Sequence, residues 1–294
     1  MTSVPVVDPA AAPGEAEGGV ALRRSAGSAS SVASGPGLLA YAAAVVGLEA
    51  VARALSGARG VVMLTGAGVS VESGLRPFRG RDGWWRGHDP THLATLEAFA
   101  ADPALVSEWY DLRRMAALGA EPSSAHLAIA ALERHVVAAG GRFALLTQNV
   151  DRLHQRAGSE RVVELHGSLV VWRDHRSGRR VTPAATPFEA YPVPGPDGGW
   201  LRPDVVWFGE FLPDEALAAT AVALTWCDLF FVIGTSAMVH PAAGLVYRAA
   251  SAGAVTVEIN VEATPTSVDH RLVGRAGEVL PRLVDEAFGG TSAA

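Results

Sequence analysis

Three polar side chains follow an apolar run in FALLTQNVD, and their types suit the binding of a sugar and an amide. Gln148, Asn149 and Asp151 together could hydrogen-bond to ribose hydroxyls and to a carboxamide. Asn149 or Asp151 could equally cap the helix that follows. This segment alone leaves both interpretations open.

A histidine directly follows a second apolar run, in VVELHGS. The ordinary pKa of histidine is about 6.5, so a neutral His166 could accept a proton from a sugar hydroxyl near neutral pH. Gly167, which has no side chain, would let a substrate approach the ring. Because the chain has nine histidines, a purely structural role for His166 is the alternative.

Glycines follow a third apolar run, in LTGAGVSVESG. Gly66, Ala67 and Gly68 would let backbone N–H groups approach a diphosphate. The third glycine of the dinucleotide fingerprint is missing, because Val71 stands there. An ordinary glycine turn therefore remains an alternative.

Other segments offer further ligand groups. Phe78 could pack on an aromatic ring, and Arg79 could bind phosphate through its planar guanidinium. The segments GTS and EIN end two more apolar runs. Each could bind part of a dinucleotide, or could only end a strand. Their candidate residues are Gly234, Thr235, Ser236 and Asn260.

The apolar runs that carry these residues predict the fold. They are 61–68, 143–151, 162–168, 228–236 and 255–260. Short, often β-branched runs separated by helical patterns predict an α/β fold, a Rossmann-like parallel sheet with helices on both faces, plus a small insertion domain. Ligands of such sheets bind outside the carboxyl ends of the strands, so the polar residues should converge on one crevice.

Composition indicates the limits of the domains. Residues 1–37 are rich in Ala, Gly, Ser and Pro and predict a disordered tail, and 289–294 are predicted to be flexible. The predicted Rossmann-like domain comprises 38–75, 141–170 and 203–288. The predicted small domain comprises 76–140, a helical module, and 171–202.

Charge and cysteine content exclude several functions. The net charge is −6 and no basic stripe is present, which argues against nucleic acid as a partner. The single Cys227 excludes an internal disulfide and favours a reducing compartment, the cytoplasm. No secretory signal and no apolar run of roughly 20 residues is found, so no membrane association is expected. The sequence does not indicate an oligomeric state.

In order, GAGVSVESG, FRG, TQNVDRLH, HG, VVWFGE, GTS and EIN resemble the sirtuins, the NAD-dependent protein-lysine deacylases, over about residues 50 to 287. The resemblance implies a Rossmann-like domain with a small domain built of a helical and a zinc module. It also implies that acylated lysines of proteins are the substrates, that His166 and Asn149 are catalytic, and that nicotinamide and O-acyl-ADP-ribose are the products. The NAD-binding residues that it implies are Gly66, Ala67, Gly68, Phe78, Arg79, Gln148, Asn149, Asp151, Gly234, Thr235, Ser236, Asn260 and Ala276.

A finer resemblance concerns WYDLRRM, in a helix predicted to begin after Asp102 and to end at Gly119. Tyr110 and Arg113, three residues apart, share a face of this helix. They match the Tyr-x-x-Arg pair with which class III sirtuins bind the carboxylate of succinyl- or malonyl-lysine. A charge-assisted hydrogen bond of this kind contributes about 1.5 to 3 kcal/mol. The alternative is an ordinary amphipathic helix with Tyr110 half-buried and Arg113 solvated.

Other substrate residues follow from the same resemblance. Small Ala94, in HLATLEAF, leaves room for a long acyl chain, and LRPDVVWFGE assigns Val206, Phe208 and Gly209 to substrate binding. The expected activity is thus a deacylase that favours succinyl and malonyl over acetyl groups, a desuccinylase more than a deacetylase. The alternatives are an NAD hydrolase or ADP-ribosyltransferase, and a non-catalytic NAD-binding module.

The sequence departs from the sirtuins in two places. Their two cysteine pairs are missing from 171–202, so we expect no metal site and no structural zinc. We expect proline rigidity and the packing of aromatic side chains to hold this segment instead, those of Trp172, Phe188, Tyr191 and Trp200. The second departure is Arg76 and Pro77, which alter the polarity beside the nicotinamide and could lower the catalytic rate.

Overall fold

The computed structural model describes residues 36–76, 86–236 and 241–289, and only the backbone of 36–46. Of the predicted tail, only the last two residues fall in this range, and they begin the first helix. Phe78 and Arg79 lie outside the described residues, as does the predicted flexible end apart from Gly289.

Helices and strands alternate through most of the described residues. The helices are α1 (Pro36–Gly57), α2 (Gly68–Val71), α3 (Pro90–Leu93), α4 (Leu96–Ala101), α5 (Pro103–Gly119), α6 (Ser124–Ala138), α7 (Leu153–Arg156), α8 (Asp214–Leu224), α9 (Leu245–Ser251) and α10 (Ala276–Phe288). The strands are β1 (Gly60–Thr65), β2 (Arg142–Thr147), β3 (Val162–Glu164), β4 (Gly167–Asp174), β5 (Arg180–Val181), β6 (Leu201–Val205), β7 (Leu229–Ile233), β8 (Val255–Asn260) and β9 (His270–Val273). None of the helices in the described ranges is long and apolar enough to cross a membrane.

Six parallel strands form the main sheet, in the order β3-β2-β1-β7-β8-β9. The central strands β1 and β7 are buried along their whole length, as their continuous apolar runs predict. The predicted α/β class is therefore confirmed. The sequence analysis missed β9, and β3 is a half-buried edge strand, not a strand buried on both faces as its apolar run indicated.

Helices cover both faces of this sheet. Side chains of α1, α6 and α10 pack on one face around Leu55, Ile129 and Leu280, and α8 and α9 pack on the other. Helix α6 lies in the segment assigned from sequence to the small domain, but its apolar side chains join the core of the main sheet. Burial on both faces fixes the strand ends that carry the polar residues.

A third core lies beside the sheet. It joins α3, α4 and α5 to an antiparallel sheet of order β5-β4-β6, around Trp109, Trp172 and Trp207. Asp102 accepts a hydrogen bond from the N–H of Leu105, at 2.9 Å, so the predicted cap of α5 is confirmed. This unit forms one wall of the crevice at the strand ends.

A buried ion pair on α5 ties down the proline-rich segment between β5 and β6. The Asp111 carboxylate accepts hydrogen bonds from Arg114, at 2.7 Å, from the Phe188 N–H, at 2.9 Å, and from the Tyr191 hydroxyl, at 2.6 Å. Arg114 also donates to two carbonyls in 184–186, each at 2.6 Å. Both side chains are only 1 % exposed. Because hydrogen bonds satisfy both the carboxylate and the guanidinium, the burial of this ion pair is compensated.

A second buried carboxylate holds two turns together. Asp174 Oδ1 accepts from the N–H groups of Arg176 and Ser177, at 2.9 and 3.2 Å, and Oδ2 from those of Asp197 and Gly199, both at 3.1 Å. Burial by itself raises the pKa of the Asp174 carboxyl, but the four N–H groups bring it below its ordinary value. The ionised form is thus the one that the fold stabilises.

The aromatic packing expected for this segment is present only in part. Trp172 is fully buried and packs edge-on against Phe188, at a centroid distance of 4.9 Å, and Phe188 in turn contacts Tyr191. The expectation for Trp200 is wrong, because this side chain is 40 % exposed. Hydrogen bonds from backbone N–H groups to the carboxylates of Asp111 and Asp174 hold the segment in addition to the three packed rings.

We expect Asp174→Asn to lower the melting temperature at pH 7, because the amide would point its NH2 group at two of the four N–H donors. The lowered pKa makes the Asp174 contribution present above the unfolded-state value of about 3.9 and lost as the pH falls through the folded-state value. The difference from wild type should therefore shrink in strong acid. Thermal unfolding followed by circular dichroism at several pH values measures this.

The exposed Glu189 in the same segment supplies the control, since Glu189→Gln should leave the melting temperature unchanged. An Asp174→Asn protein as stable as wild type at pH 7 would contradict the assignment. Stoichiometric zinc in the purified wild-type protein, measured by atomic absorption, would contradict the expectation of a metal-free segment.

Candidate active site

A cavity of about 760 Å³ opens at the carboxyl ends of β1, β2, β3 and β7, between the main sheet and the third core. Most of the predicted site residues line it. They are Gly66, Ala67, Ala94, Tyr110, Arg113, Gln148, Asn149, Asp151, His166, Val206, Phe208, Gly209, Gly234, Thr235 and Ser236. Seven separate chain segments thus converge at one place.

The glycine turn after β1 lies in close contact with the loop after β7. Gly68 N–H donates to the Gly234 carbonyl at 2.8 Å, and a Cβ on Gly68 would come within 2.7 Å of Gly234 Cα. Gly234 has φ +59°, which favours glycine, and a Cβ on Gly66 would come within 2.7 Å of Thr235 Cβ. Backbone contact therefore accounts for these three glycines.

Three predicted cofactor residues do not line the cavity. Gly68 packs on Gly234, and Asn260 stands one step back, where its Nδ2 donates to the Thr235 carbonyl at 3.0 Å. Ala276 is a buried residue at the start of α10 and belongs to the apolar core of the main sheet. Asn260 can act on a ligand through the loop that it holds, whereas Ala276 is a packing residue.

Asn149 is held in one orientation by donors and acceptors of fixed direction. Asp151 Oδ2 can only accept, and it takes the proton of the Ser70 hydroxyl at 2.7 Å. Ser70 Oγ then accepts from Asn149 Nδ2 at 3.0 Å, and the same Nδ2 donates to the Gly66 carbonyl at 3.0 Å. With both amide protons engaged, the side-chain oxygen of Asn149 is left as an acceptor.

Asp151 is buried and has one further contact. Its Oδ1 accepts from the N–H of Leu153, the first residue of α7, at 2.9 Å, but the N-cap position of α7 is occupied by Arg152, not by Asp151 or Asn149. Burial raises the pKa of the Asp151 carboxyl, against the lowering effects of Leu153, Ser70 and Arg113. The Asp151 carboxylate thus contacts the first residue of α7 and, through Ser70, orients Asn149.

His166 is half-buried at the end of β3, and one carbonyl determines its tautomer. Its Nδ1 lies 3.1 Å from the Gln148 carbonyl, which can only accept a hydrogen bond. In the neutral ring the proton is therefore on Nδ1, and Nε2 carries the lone pair that a base requires. Gln148 in turn donates from Nε2 to Thr235 Oγ1 at 3.1 Å, which links the loops after β2 and β7.

The reason suggested for Gly167 is wrong. Gly167 has φ +76°, and a Cβ there would come within 2.0 Å of the Asp204 carbonyl oxygen. The close approach is thus of strand β6, not of a substrate. Together with the bond from Val206 N–H to the His166 carbonyl, at 3.0 Å, this contact connects the two sheets beneath the histidine.

Tyr110 and Arg113 lie in the cavity wall formed by α5. Tyr110 is 1 % exposed and stacks on Trp207, with ring centroids 6.0 Å apart, and its hydroxyl has no hydrogen-bond partner among the described residues. The guanidinium of Arg113 lies 5.3 Å from the Trp109 ring centroid. Burial raises the pKa of the Tyr110 hydroxyl and lowers that of Arg113, so the wall is a poorly hydrated one.

An ion pair that the sequence analysis did not identify, between buried Arg202 and half-buried Glu210, holds the loop after β6. The Arg202 guanidinium stacks on Trp207, 3.3 Å from the ring centroid, and donates to both carboxylate oxygens of Glu210, at 2.7 and 2.9 Å. Glu210 accepts the Trp207 N–H at 2.8 Å, and the Phe208 N–H donates to the Ala94 carbonyl at 3.0 Å. Arg202 lies in β6 but Glu210 lies in the loop that follows, so no helical or strand pattern joins the two residues.

The described residues do not fit a thiolate metal centre. They contain no group of three or more His, Cys, Asp or Glu side chains that could hold a metal ion. Cys227 is buried in the core under α8 and α9, and burial raises the pKa of its thiol to about 12. Its thiolate is therefore strongly disfavoured at neutral pH.

Comparison with protein-family models matches residues 66–241 to the Sir2 family. Among curated proteins, the chain is 49 % identical over 238 residues to NAD-dependent protein deacylase 2 of Pyrobaculum aerophilum, covering 80 % of this chain and 94 % of that protein. It is 45 % identical over 265 residues to NAD-dependent protein deacylase 1 of Pseudomonas aeruginosa, covering 83 % and 100 %.

Solved structures give the same result. A Sir2 homolog in complex with NAD has a TM-score of 0.76 and 42 % identity, covering 81 % of this chain and 93 % of that one. A Sir2 variant with a deacetylated p53 peptide and 3′-O-acetyl-ADP-ribose has a TM-score of 0.71 and 30 % identity, covering 82 % and 98 %.

We expect Ser70→Ala to release the Asn149 amide and to weaken the turnover of NAD. A hydrogen bond to a charged group contributes about 1.5 to 3 kcal/mol. If the transition state loses this much stabilisation, kcat/KM should fall at least about tenfold. Ser73, in the turn after α2, is the matched control, because its buried hydroxyl has no hydrogen-bond partner among the described residues. Steady-state kinetics of nicotinamide release compares the two. Equal losses in Ser70→Ala and Ser73→Ala would show that the Ser70 bonds are not what matters.

Proposed function

The chain belongs to the Sir2 family and is an NAD-dependent protein deacylase, and we propose that it removes acidic acyl groups, succinyl or malonyl, in preference to acetyl. Its substrates are then acylated lysine side chains of proteins. One observation carries the acyl preference, the buried hydroxyl of Tyr110 beside the cationic Arg113 in the cavity wall.

The preference follows from what each acyl group offers to this wall. An acyl carboxylate supplies acceptors for the Tyr110 hydroxyl and an opposite charge for Arg113. An acetyl group supplies neither and leaves a buried donor unsatisfied, which costs about 1 to 3 kcal/mol. Burial strengthens the effect, because poorly hydrated charges are weakly screened. Ala94, buried beside the same cavity, has a side chain too small to block a longer acyl chain.

We propose roles for the remaining site residues on the same basis. When bound, NAD supplies the ribose carbon to which the acyl oxygen is transferred as nicotinamide leaves. His166 Nε2 takes the proton of a ribose hydroxyl, and its Nδ1–H bond to the Gln148 carbonyl holds the ring in place. The oriented amide of Asn149 binds the polar groups of the cofactor, and the hydroxyls of Thr235 and Ser236 bind its phosphates.

The loop after β6 is proposed to bind the substrate backbone. Val206, Phe208 and Gly209 line the cavity, and the pair of Arg202 and Glu210 fixes the loop before any peptide arrives. Pre-organisation of this kind reduces the entropy lost on binding. The net charge of −6 and the single buried Cys227 accord with a proposed cytoplasmic location and with protein, not nucleic acid, as the partner.

We expect incubation with NAD and a panel of acyl-lysine peptides to give O-succinyl- or O-malonyl-ADP-ribose faster than O-acetyl-ADP-ribose. Mass spectrometry of the nucleotide products measures this directly. His166→Ala, checked for retained NAD binding by calorimetry, should form none of them. Free ADP-ribose as the main product would favour NAD hydrolysis instead, and equal rates on all peptides would contradict the acyl preference.

We expect Tyr110→Phe and Arg113→Met each to lower kcat/KM for the succinyl peptide while kcat/KM for the acetyl peptide is kept. Loss of one hydrogen bond to a carboxylate should cost roughly tenfold or more in kcat/KM. Arg53→Met is the control, since Arg53 is 71 % exposed on α1, far along the chain from the cavity. If both peptides lost activity equally, Tyr110 and Arg113 would be structural residues and not acyl-binding ones.

A further inference from the structure

The last turn of α5 has carbonyl groups that the helix itself cannot satisfy. The final four carbonyls of an α-helix lack partners within the helix. In α5 the Ala116 carbonyl still accepts the N–H of Ala120, at 3.0 Å, but those of Ala117 and Leu118 depend on groups from outside. Because Ala116 and Ala117 line the cavity, whatever holds this turn also shapes the site.

One arginine on α7 supplies the donors. Nη1 of Arg156 donates to the carbonyls of Ala117, at 3.2 Å, and Leu118, at 3.4 Å, and also to that of Ala120. The positive charge is favourable at this position, because the carboxyl end of a helix carries the negative end of its dipole. Ala117 and Ala120 are buried, so loss of the guanidinium would leave buried acceptors without a donor.

The same short helix is bound to strand β3. The Glu164 carboxylate, at the end of β3, accepts two hydrogen bonds from the Arg152 guanidinium, at 3.0 and 3.3 Å. It also accepts one from Gln155 Nε2, at 3.1 Å. Helix α7 is therefore fastened to β3 by Glu164 and to α5 by Arg156.

The start of α7 has an unusual backbone conformation. Arg152, at its N-cap, has φ +63°, which is unfavourable for a residue other than glycine. Such a conformation persists where the surroundings determine it, and the two hydrogen bonds from Arg152 to Glu164 are contacts of that kind. Asp151 directly precedes Arg152, so the loop that carries Asn149 ends at this fixed point.

We propose that α7 acts as a bridge that sets the distance between β3, which ends two residues before His166, and the last turn of α5. The α7 bridge consists of Glu164, Arg152, Gln155 and Arg156. None of these four residues lines the cavity, so they are positioning residues for the reaction.

The α7 bridge joins the two sides of the cavity. On one side lie the strand ends of the main sheet, with Asn149 and His166, and on the other lies α5, with Ala116 and Ala117. Transfer of an acyl group to the cofactor requires groups held by the two sides to meet, and a misplacement of about 1 Å can cost roughly a hundredfold in rate. The inference rests on the NAD-dependent deacylase activity and goes beyond the acyl preference, because every acyl group depends on this distance.

Two variants of Arg156 test the bridge. Arg156→Met removes every donor but keeps a long side chain, whereas Arg156→Lys keeps a cation with three donors. We expect Arg156→Met to lower kcat roughly tenfold for succinyl and acetyl peptides alike, with the Kd for NAD unchanged, and Arg156→Lys to recover part of the lost kcat. Steady-state kinetics of nicotinamide release and calorimetry of NAD binding measure the two quantities.

Glu121 supplies the matched control. Its carboxylate pairs with Arg156 Nη2 at 3.2 Å but is 85 % exposed, so solvent screens the pair and Glu121→Gln should keep the wild-type kcat. Melting temperatures are recorded for each variant. A lower melting temperature of Arg156→Met with the wild-type kcat would make Arg156 a structural residue and overturn the proposal. An equal loss of kcat in Glu121→Gln would also overturn it, because the bonds to the carbonyls would not be the cause.

The other end of the bridge gives a second test. Glu164→Gln keeps the shape of the side chain but removes the charge that holds Arg152. We expect this variant to lower kcat as well. The double variant with Arg156→Met should lose less than the product of the two single losses, because each change breaks the same bridge. Losses that multiply would show two independent contacts and overturn the bridge.

These measurements separate a failure of the bridge from a failure of the proposed acyl preference. A wild-type protein without preference for the succinyl peptide would contradict the substrate class and leave the bridge standing, because kcat is compared on each peptide separately. A preserved preference with an unchanged kcat in Arg156→Met would overturn the bridge alone. A loss confined to the Kd for NAD would overturn it too, since Arg156 would then act on cofactor binding and not on the distance across the cavity.

Discussion

The contact between two glycine turns determines where everything else in the site lies. Gly68 and Gly234 approach so closely that neither tolerates a Cβ, and the hydrogen bond between them joins the ends of β1 and β7. Thr235 then reaches Gln148 on the loop after β2, and the Gln148 carbonyl fixes the ring of His166 after β3. The cavity is therefore a consequence of loops tied to one another at the edge of a parallel sheet.

Groups that can only accept or only donate give this site its orientation. The Asp151 carboxylate, through Ser70, turns the Asn149 amide so that its protons face the protein. The Gln148 carbonyl does the same for His166, and leaves the lone pair on Nε2. Hydroxyls between them adapt, because a Ser or Thr can donate and accept at once. A network whose end groups can only donate or only accept has one arrangement of hydrogen bonds, and the hydroxyls between the ends orient to fit it.

The sequence predicted the strand ends well and the buried polar partners poorly. Runs such as 61–65 predict a buried strand by composition alone. Because the strands of the sheet are parallel, the polar residues at their carboxyl ends then lie close together. Ser70 and Asp174 gave no such signal, because their partners lie far along the chain or are backbone N–H groups, which no residue pattern reveals. Gly167 was expected to make room for a substrate, but the group that a Cβ there would meet is the carbonyl of Asp204 in strand β6.

The geometry of the cavity wall formed by α5 depends on the proline-rich segment between β5 and β6, which does not line the cavity. In helix α5, Tyr110 and Arg113 lie toward the cavity, and the adjoining pair Asp111 and Arg114 holds the proline-rich segment on the next face. The segment buries that ion pair, and the pair in turn keeps α5 from rotating about its axis. Rotation by one position would replace Tyr110 and Arg113 in the wall by Asp111 and Arg114, and the positive charge of the wall would be cancelled. The Asp111 carboxylate that holds the proline-rich segment therefore also keeps Arg113 toward the cavity, so the stability of this segment and the charge of the wall depend on the same ion pair.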